Sequence, residues 1–353
     1  MKRSARSKNF DPLDAAGKGP NLLTGNPQYS QDRKEWAAVW SKFPVYALKD
    51  KLRSLVDSID KNNVTVIVSG TGSGKTVLAV PLVLRHVLSS GKEGEKVAVT
   101  IPKRATVVAA ANTGAKTLDV EIGKEVGYLH RGAPSWSYDD KRTRLVYATD
   151  GTLLAQIRKD PLLKSYGAVV VDEAHERPVP TDFLLAALRT ALTKRSDFRL
   201  IIMSATIDPK LFADYFGSLS LSCGVVEVSG ATMHPIERVH VVLPGAVDGG
   251  PPKEYLAPTM EQVCKVLEAN AEPHVIVFVP TTKDASQGCR LNEKCSKDSK
   301  DSECFSLYGK MSRTDQQTAL APRDPGNKRA RVYVSTNVAE SSLTLDGITH
   351  VVD

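Results

Sequence analysis

Cysteine is scarce in this 353-residue chain: its five residues, Cys223, Cys264, Cys289, Cys295 and Cys304, are odd in number and form no C-x-x-C pair. That usage speaks against a disulfide framework. The spacing of Cys289, Cys295 and Cys304, with no His among them, matches no zinc-binding pattern. Long apolar runs are missing too. No stretch approaches the ~18 consecutive apolar residues of a membrane span, and the cations of MKRSARSKNF have no apolar run behind them to make a signal peptide. The expectation is a soluble, intracellular protein with no membrane partner. At 41% hydrophobic and 25% charged residues the chain is neither collagen-like nor low-complexity nor wholly disordered. The positive excess is small, 47 Lys+Arg against 40 Asp+Glu, so a net charge of +7 permits a nucleic-acid partner without demanding one.

At ~100–200 residues per domain, the length suggests two domains. Residues 1–34 mix Gly, Pro, Asn, Ser and charge without apolar periodicity and read as a flexible basic tail, with order beginning near Trp36. Short apolar, β-branched runs then alternate with helical stretches. Strands are expected at Val64 to Val68, Val97 to Ile101, Leu145 to Tyr147, Ala168 to Val171 and Leu200 to Met203. Continuous apolar strands separated by helices predict a parallel sheet buried on both faces, the doubly wound α/β arrangement, with ligands at the carboxyl ends of the strands. The rhythm breaks between residues 217 and 235, which puts a domain boundary at 225/226. A second alternation follows: strands at Val239 to Leu243, Val275 to Val279, Phe305 to Leu307, Arg331 to Ser335 and His350 to Val352, and a helix over TMEQVCKVLEAN. The charged run from Lys297 to Glu303 reads as a loop.

The strongest motif is the run from Val64 to Val68 into Ser69-Gly70-Thr71-Gly72-Ser73-Gly74-Lys75-Thr76 and a helix. Glycines let the backbone wrap a phosphate chain with its N–H groups, and the helix N-terminus adds its positive end. Lys75 reaches the β- and γ-phosphates, and Thr76 holds Mg²⁺ through its hydroxyl. The usual pattern opens with Gly where Ser69 stands. The second motif is Asp172-Glu173-Ala174-His175 behind the Ala168 to Val171 strand. Asp172 is placed to bind Mg²⁺, Glu173 to orient and deprotonate an attacking water, and His175 to link nucleotide to the second domain.

With these motifs the chain resembles the DEAH-box family of superfamily 2 helicases. Thr100-Ile101-Pro102-Lys103-Arg104 is similar to the family's T-Q-P-R-R, Val126-Gly127-Tyr128 to V-G-Y, and Tyr147-Ala148-Thr149-Asp150-Gly151 to Y-x-T-D-G. Asp172 through Arg177 matches D-E-A-H-E-R in full, and Ser204-Ala205-Thr206 resembles the S-A-T that couples hydrolysis to domain movement. The run Ser335 through Gly347 is close to S-T-N-I-A-E-T-S-L-T-I-D-G. The likeness covers about residues 35 to 353. It implies two tandem RecA-like parallel-sheet domains of the P-loop NTPase type, over 35–225 and 226–353. These would clamp ATP or another NTP with Mg²⁺ between them and move along single-stranded RNA, or an RNA duplex with an overhang, to remodel or unwind it. By the resemblance, Pro102, Lys103, Arg104, Thr149, Asp150, Thr336 and Asn337 touch the RNA backbone without reading bases, and Asp346 and Gly347 approach the nucleotide.

The family's two base-stacking positions appear here as Thr113 and Leu320, so weaker nucleotide binding is expected. The family's next motif, Q-R-x-G-R-A-G-R, does not occur before Asp353, and the second domain is therefore expected to be incomplete. These departures keep a second reading open, a catalytically impaired, helicase-derived module that binds RNA or nucleotide. They also leave room for an activating protein partner.

Overall fold

The structure is a computed structural model. It describes residues 11–70, 73–92, 94–205, 208–228, 236–241, 254–270, 273–298, 301–309, 311–321, 326–327, 329–341, 345 and 347–353. The chain divides into two compact units, Met1–Pro235 and Ile236–Asp353.

The first unit is built on β1 (Val64–Ser69), β2 (Lys96–Thr100), β3 (Val126–Leu129), β4 (Leu145–Ala148), β5 (Tyr166–Val171), β6 (Arg199–Ser204) and β7 (Cys223–Val228). They form one sheet in the order β3-β4-β2-β5-β6-β1-β7, and every pairing is parallel. The apolar runs explain this. Val66, Ala98, Val169, Val171, Leu200 and Ile202 face one helical layer that supplies Leu153, Leu184, Leu188, Phe212 and Phe216. Their alternates Ile67, Val97, Val99, Val170 and Met203 face the other layer, with Trp40, Leu52, Leu78 and Val107. A strand buried on both faces must be apolar at every position, and helices must cover both sides. The expected doubly wound arrangement is therefore what the chain adopts.

The second unit contains β8 (His274–Phe278), β9 (Ser302–Leu307), β10 (Ala330–Ser335) and β11 (His350–Val352), again all parallel, in the order β11-β8-β10-β9. The helices Leu256–Ala269 and Thr282–Asp298 accompany it.

Five expectations need correction. Residues 11–30 are not a tail. Asn21 Nδ2 donates to the Leu118 carbonyl at 2.7 Å, Ser30 N donates to Asp119 Oδ2 at 2.7 Å, and Asp11 meets the Tyr46 hydroxyl. A helix follows at Gln31–Trp40, capped by Ser30; residues 1–10 lie outside the described residues. The boundary at 225/226 falls inside β7, which pairs with β1 from Val64↔Cys223 to Ser69↔Val228. Residues 239–241 are not in a strand, while 242 and 243 lie outside the described residues. Finally, Cys289 and Cys304 are joined in a disulfide with Cα atoms 5.4 Å apart, and Cys264 is disulfide-bonded as well. The helix Thr282–Asp298 lies on β9, and that packing brings together two cysteines 15 residues apart. Of the charged run read as a loop, Ser302 and Glu303 open β9, and Glu303 is paired there with Arg329 and Arg331. Among the described residues, no helix is long and apolar enough to cross a membrane.

Candidate active site at the carboxyl ends of the strands

β1 delivers the phosphate-loop segment. Its last residue, Ser69, is 2% exposed and donates its hydroxyl to the Val228 carbonyl at 3.3 Å. The side chain standing where the pattern has glycine is thus turned toward β7. Thr71 and Gly72 lie outside the described residues. Gly74 has φ +85°, and a Cβ there would sit 2.6 Å from Phe43 Cδ2. Both the left-handed backbone and the ring beneath it require glycine. The helix Lys75–Ser89 follows at once. Phe43 is a residue that sequence reasoning missed, because nothing in its spacing marks a wedge under a loop thirty residues on.

β5 ends at Val171, with Asp172 and Glu173 next. Asp172 is 2% exposed, and its Oδ2 accepts from Thr76 Oγ1 at 2.7 Å. Its Oδ1 accepts from the Glu173 backbone N at 2.8 Å. Burial raises the Asp172 carboxyl and the Glu173 charge adds to the rise, while Thr76 and Lys75 oppose it. Glu173 adopts φ +53°, a conformation costing a non-glycine residue ~1–2 kcal/mol. The turn places Glu173 Oε1 at 3.8 Å from Lys75 Nζ. Burial also raises the Glu173 carboxyl, with the Lys75 ammonium pulling it back down. A partly buried carboxylate whose proton affinity lies above that of an ordinary Glu suits a general base.

β6 lies between β5 and β1 and contributes Ser204, which is fully buried, and Ala205. The Ala205 backbone N donates to His175 Nδ1 at 3.3 Å, and His175 Nε2 lies 3.4 Å from Glu173 Oε2. An accepting Nδ1 puts the neutral ring's proton on Nε2, facing the carboxylate. His175 therefore bridges the Asp172-Glu173 turn and the Ser204-Ala205 turn. Thr206 lies outside the described residues.

The residues expected to meet RNA are distributed unevenly. At the end of β2, Arg104 is exposed, Pro102 and Lys103 are half-buried, and Lys103 Nζ lies 3.5 Å from Glu176 Oε1. At the end of β4, Thr149 is half-buried with its hydroxyl 2.8 Å from that of Thr152. Asp150 does not face outward. It is 2% exposed and accepts from the Thr181 hydroxyl, which is itself fully buried. As the first residue of the helix Asp150–Lys159, it braces that helix to Val179–Lys194. In the second unit Thr336 is 9% exposed and its N–H donates to the Leu307 carbonyl at 2.9 Å, whereas Asn337 is exposed. Gly347 has φ +77°, and Asp346 lies outside the described residues. Thr113 satisfies its hydroxyl on the Ala109 carbonyl at 3.0 Å, and Leu320 is half-buried at the end of the helix Arg313–Leu320.

Thr76 and Asp172 suit Mg²⁺, a hard cation that binds through few protein oxygens and otherwise through waters and substrate phosphates. The hydroxyl and the carboxylate already converge at 2.7 Å. Among the described residues no cluster of three or more His, Cys, Asp or Glu forms an all-protein metal cage, so a shared site with phosphate is the arrangement these oxygens fit.

Residues 53–213 match the family described as DEAD/DEAH box helicase, and residues 258–353 match the helicase conserved C-terminal domain. A protein of Acanthamoeba polyphaga mimivirus, named provisionally as an ATP-dependent RNA helicase, is 34% identical over 348 residues, which is 97% of this chain and 47% of the relative. The ATP-dependent RNA helicase HrpA of Borreliella burgdorferi is 33% identical over 318 residues, 88% of this chain and 35% of the relative. The chain thus spans less than half the length of either curated relative.

Proposed function

Since the chain belongs to the superfamily 2 helicases that carry a DEAD/DEAH-box domain followed by a helicase C-terminal domain, we propose that it is a DEAH-type, ATP-dependent RNA helicase. It hydrolyses NTP to move along single-stranded RNA and to remodel or unwind duplexes with an overhang. The relatives named as ATP-dependent RNA helicases support the RNA substrate.

One observation carries this reading: the Thr76–Asp172 and Lys75–Glu173 contacts, made between the ends of β1 and β5. They set a phosphate-binding helix N-terminus opposite a paired carboxylate. Ser69 to Thr76 cradle the phosphates with backbone N–H groups, and Lys75 holds the β- and γ-phosphates. Glu173 accepts a proton from the attacking water as its oxygen bonds to the γ-phosphorus. The bond to the bridging oxygen breaks and the nucleoside diphosphate leaves. Thr76 and Asp172 would hold Mg²⁺, which when bound would supply charge neutralisation at the phosphate oxygens. His175 relays the state of Glu173 to Ala205 and so to the Ser204-Ala205-Thr206 motif. Pro102, Lys103, Arg104 and Thr149, with Thr336 and Asn337, grip the RNA backbone, and Asp346 and Gly347 contact the nucleotide from the second unit.

The test is phosphate release by the protein with RNA, with single-stranded DNA and with neither. RNA should stimulate it, and Glu173→Gln should lower the stimulated rate by ~10²–10⁴-fold, with Lys75→Ala equally inactive. A Glu173→Gln protein hydrolysing at the parental rate overturns the assignment of the base. A flat, near-zero parental rate in all three conditions, with RNA still bound, identifies a binding module instead.

A further inference from the structure

The second unit holds a reactive group that the proposed motor reaction does not use. Cys289, on the helix Thr282–Asp298, and Cys304, on β9, form a disulfide, and both residues are only half-buried. Both line an open cavity of about 890 Å³, whose walls also include Asn292, Phe305 and Arg331. Thiol–disulfide exchange requires a thiolate to reach one sulfur, so access governs whether a disulfide is permanent or exchangeable.

The helix has other contacts with the sheet beside this bond. Gly288 lies so close to β10 that a Cβ would be 2.9 Å from Val334 Cγ1. Ala285 is fully buried and its carbonyl accepts from Ser306 Oγ at 3.1 Å. Asn292, 1% exposed, donates its Nδ2 to Ser302 Oγ at 2.9 Å. These contacts bracket Cys289 on both sides, one turn before and one turn after it. Two thiols formed at 289 and 304 therefore remain opposite each other, ready to pair again.

We propose that Cys289 and Cys304 form a reversible thiol–disulfide exchange site, reduced in the folded protein by small-molecule thiols of the glutathione class. A small thiolate attacks one sulfur, forming a mixed disulfide, and the other cysteine departs as a thiolate. A second small thiol attacks the mixed disulfide and releases the second cysteine together with the small-molecule disulfide. Two electrons pass from the two small thiols to the protein pair, and the two protons those thiols lose are taken up by the cysteines. This site is independent of the helicase reading.

The test alkylates the full chain in its native state with iodoacetamide, with and without reduced glutathione, and maps the cysteine peptides by mass spectrometry. After equilibration with oxidised glutathione, Cys289 and Cys304 should take no label. With reduced glutathione both should label while the circular dichroism spectrum is unchanged, and protection should return with oxidised glutathione. Cys289→Ser should expose Cys304 to label without any reductant; if that variant does not fold, the parental pattern decides. The proposal is overturned if the two cysteines label after oxidised glutathione, or if they resist reduced glutathione until the chain is denatured.

Discussion

In the seven-stranded unit, the residues marked by motif hold one another. Thr76 is bonded to Asp172, Lys75 faces Glu173, and Glu173 faces His175, which accepts from Ala205. In the four-stranded unit the corresponding residues are held by the backbone. Thr336 hangs from the Leu307 carbonyl of β9, Asn337 is exposed, and Gly347 is defined by its left-handed backbone. Moving a proton and neutralising a phosphate demand fixed distances between charged groups, and such groups end up as each other's partners. Gripping a sugar–phosphate chain or touching a nucleotide demands only that a small polar group or a backbone stand at the right place. On the proposed function, the first unit supplies the chemistry and the second the contacts.

Glycine substitution is the severest way to separate the two. At Gly74, alanine must bear the left-handed conformation and a Cβ 2.6 Å from Phe43 Cδ2, together about 2–5 kcal/mol. At Gly347, also left-handed, the nearest atom of the described residues to an added Cβ is His274 Cδ2 at 3.5 Å, an ordinary contact that adds nothing to the backbone cost of about 1–2 kcal/mol. Gly74→Ala should lower nucleotide affinity by ~10-fold or more and reduce thermal stability markedly. Gly347→Ala should reduce stability modestly. Equal losses in thermal unfolding at the two positions would erase the distinction.

The same contrast explains what could be read before the fold was known. β1, β5 and β6 announce themselves because strands buried on both faces must be apolar throughout. The phosphate loop and the Asp172-Glu173 pair announce themselves because their chemistry fixes residue type at adjacent positions. β7 does not, since an edge strand that starts Cys223-Gly224 and exposes Glu227 has no need of a continuous apolar run. Residues 11–30 look like a tail because they are polar. They are ordered by partners about ninety residues away, Leu118 and Asp119. Asp150 sits in a motif that suggests RNA, but its direction is set by Thr181, thirty-one positions later. The Cys289–Cys304 bond depends on how one helix lies over β9. Whatever is decided by distant partners leaves no local pattern.

The proposed RNA contacts can be sharpened by setting Arg104 against Asp150. Arg104 is exposed at the start of the helix Arg104–Leu118, so as a phosphate contact its removal should weaken binding uniformly across sequences. Arg104→Ala should reduce the slope of log affinity against log salt by about one. Asp150 is buried against Thr181, and Asp150→Asn should leave that slope unchanged while preserving a hydrogen bond to the hydroxyl. RNA titrations at several salt concentrations decide the matter. A slope altered by Asp150→Asn and untouched by Arg104→Ala would reverse the assignment.

The smallest effect concerns what fastens the first unit away from its site. Arg195 donates Nη1 to the carbonyls of Leu162, Leu163 and Tyr166 at 3.1, 2.9 and 2.7 Å, and its Nη2 pairs with Asp197 Oδ2 at 2.9 Å. The Arg195 hydrogen bond, against the opposing pull of burial and with help from Lys92, holds the Asp197 carboxyl well below the usual carboxylate range. A depressed folded-state pKa stabilises the protein above the unfolded value of ~3.9, and that contribution is lost as pH falls below it. Asp197 is 35% exposed, so solvent screening limits the contribution to under ~1 kcal/mol. All three tryptophans, Trp36, Trp40 and Trp136, lie in the first unit, so tryptophan fluorescence follows its unfolding alone. Between about pH 5 and pH 3 the parental midpoint should fall slightly more than that of Asp197→Asn, and parallel curves would remove Asp197 from the acid response.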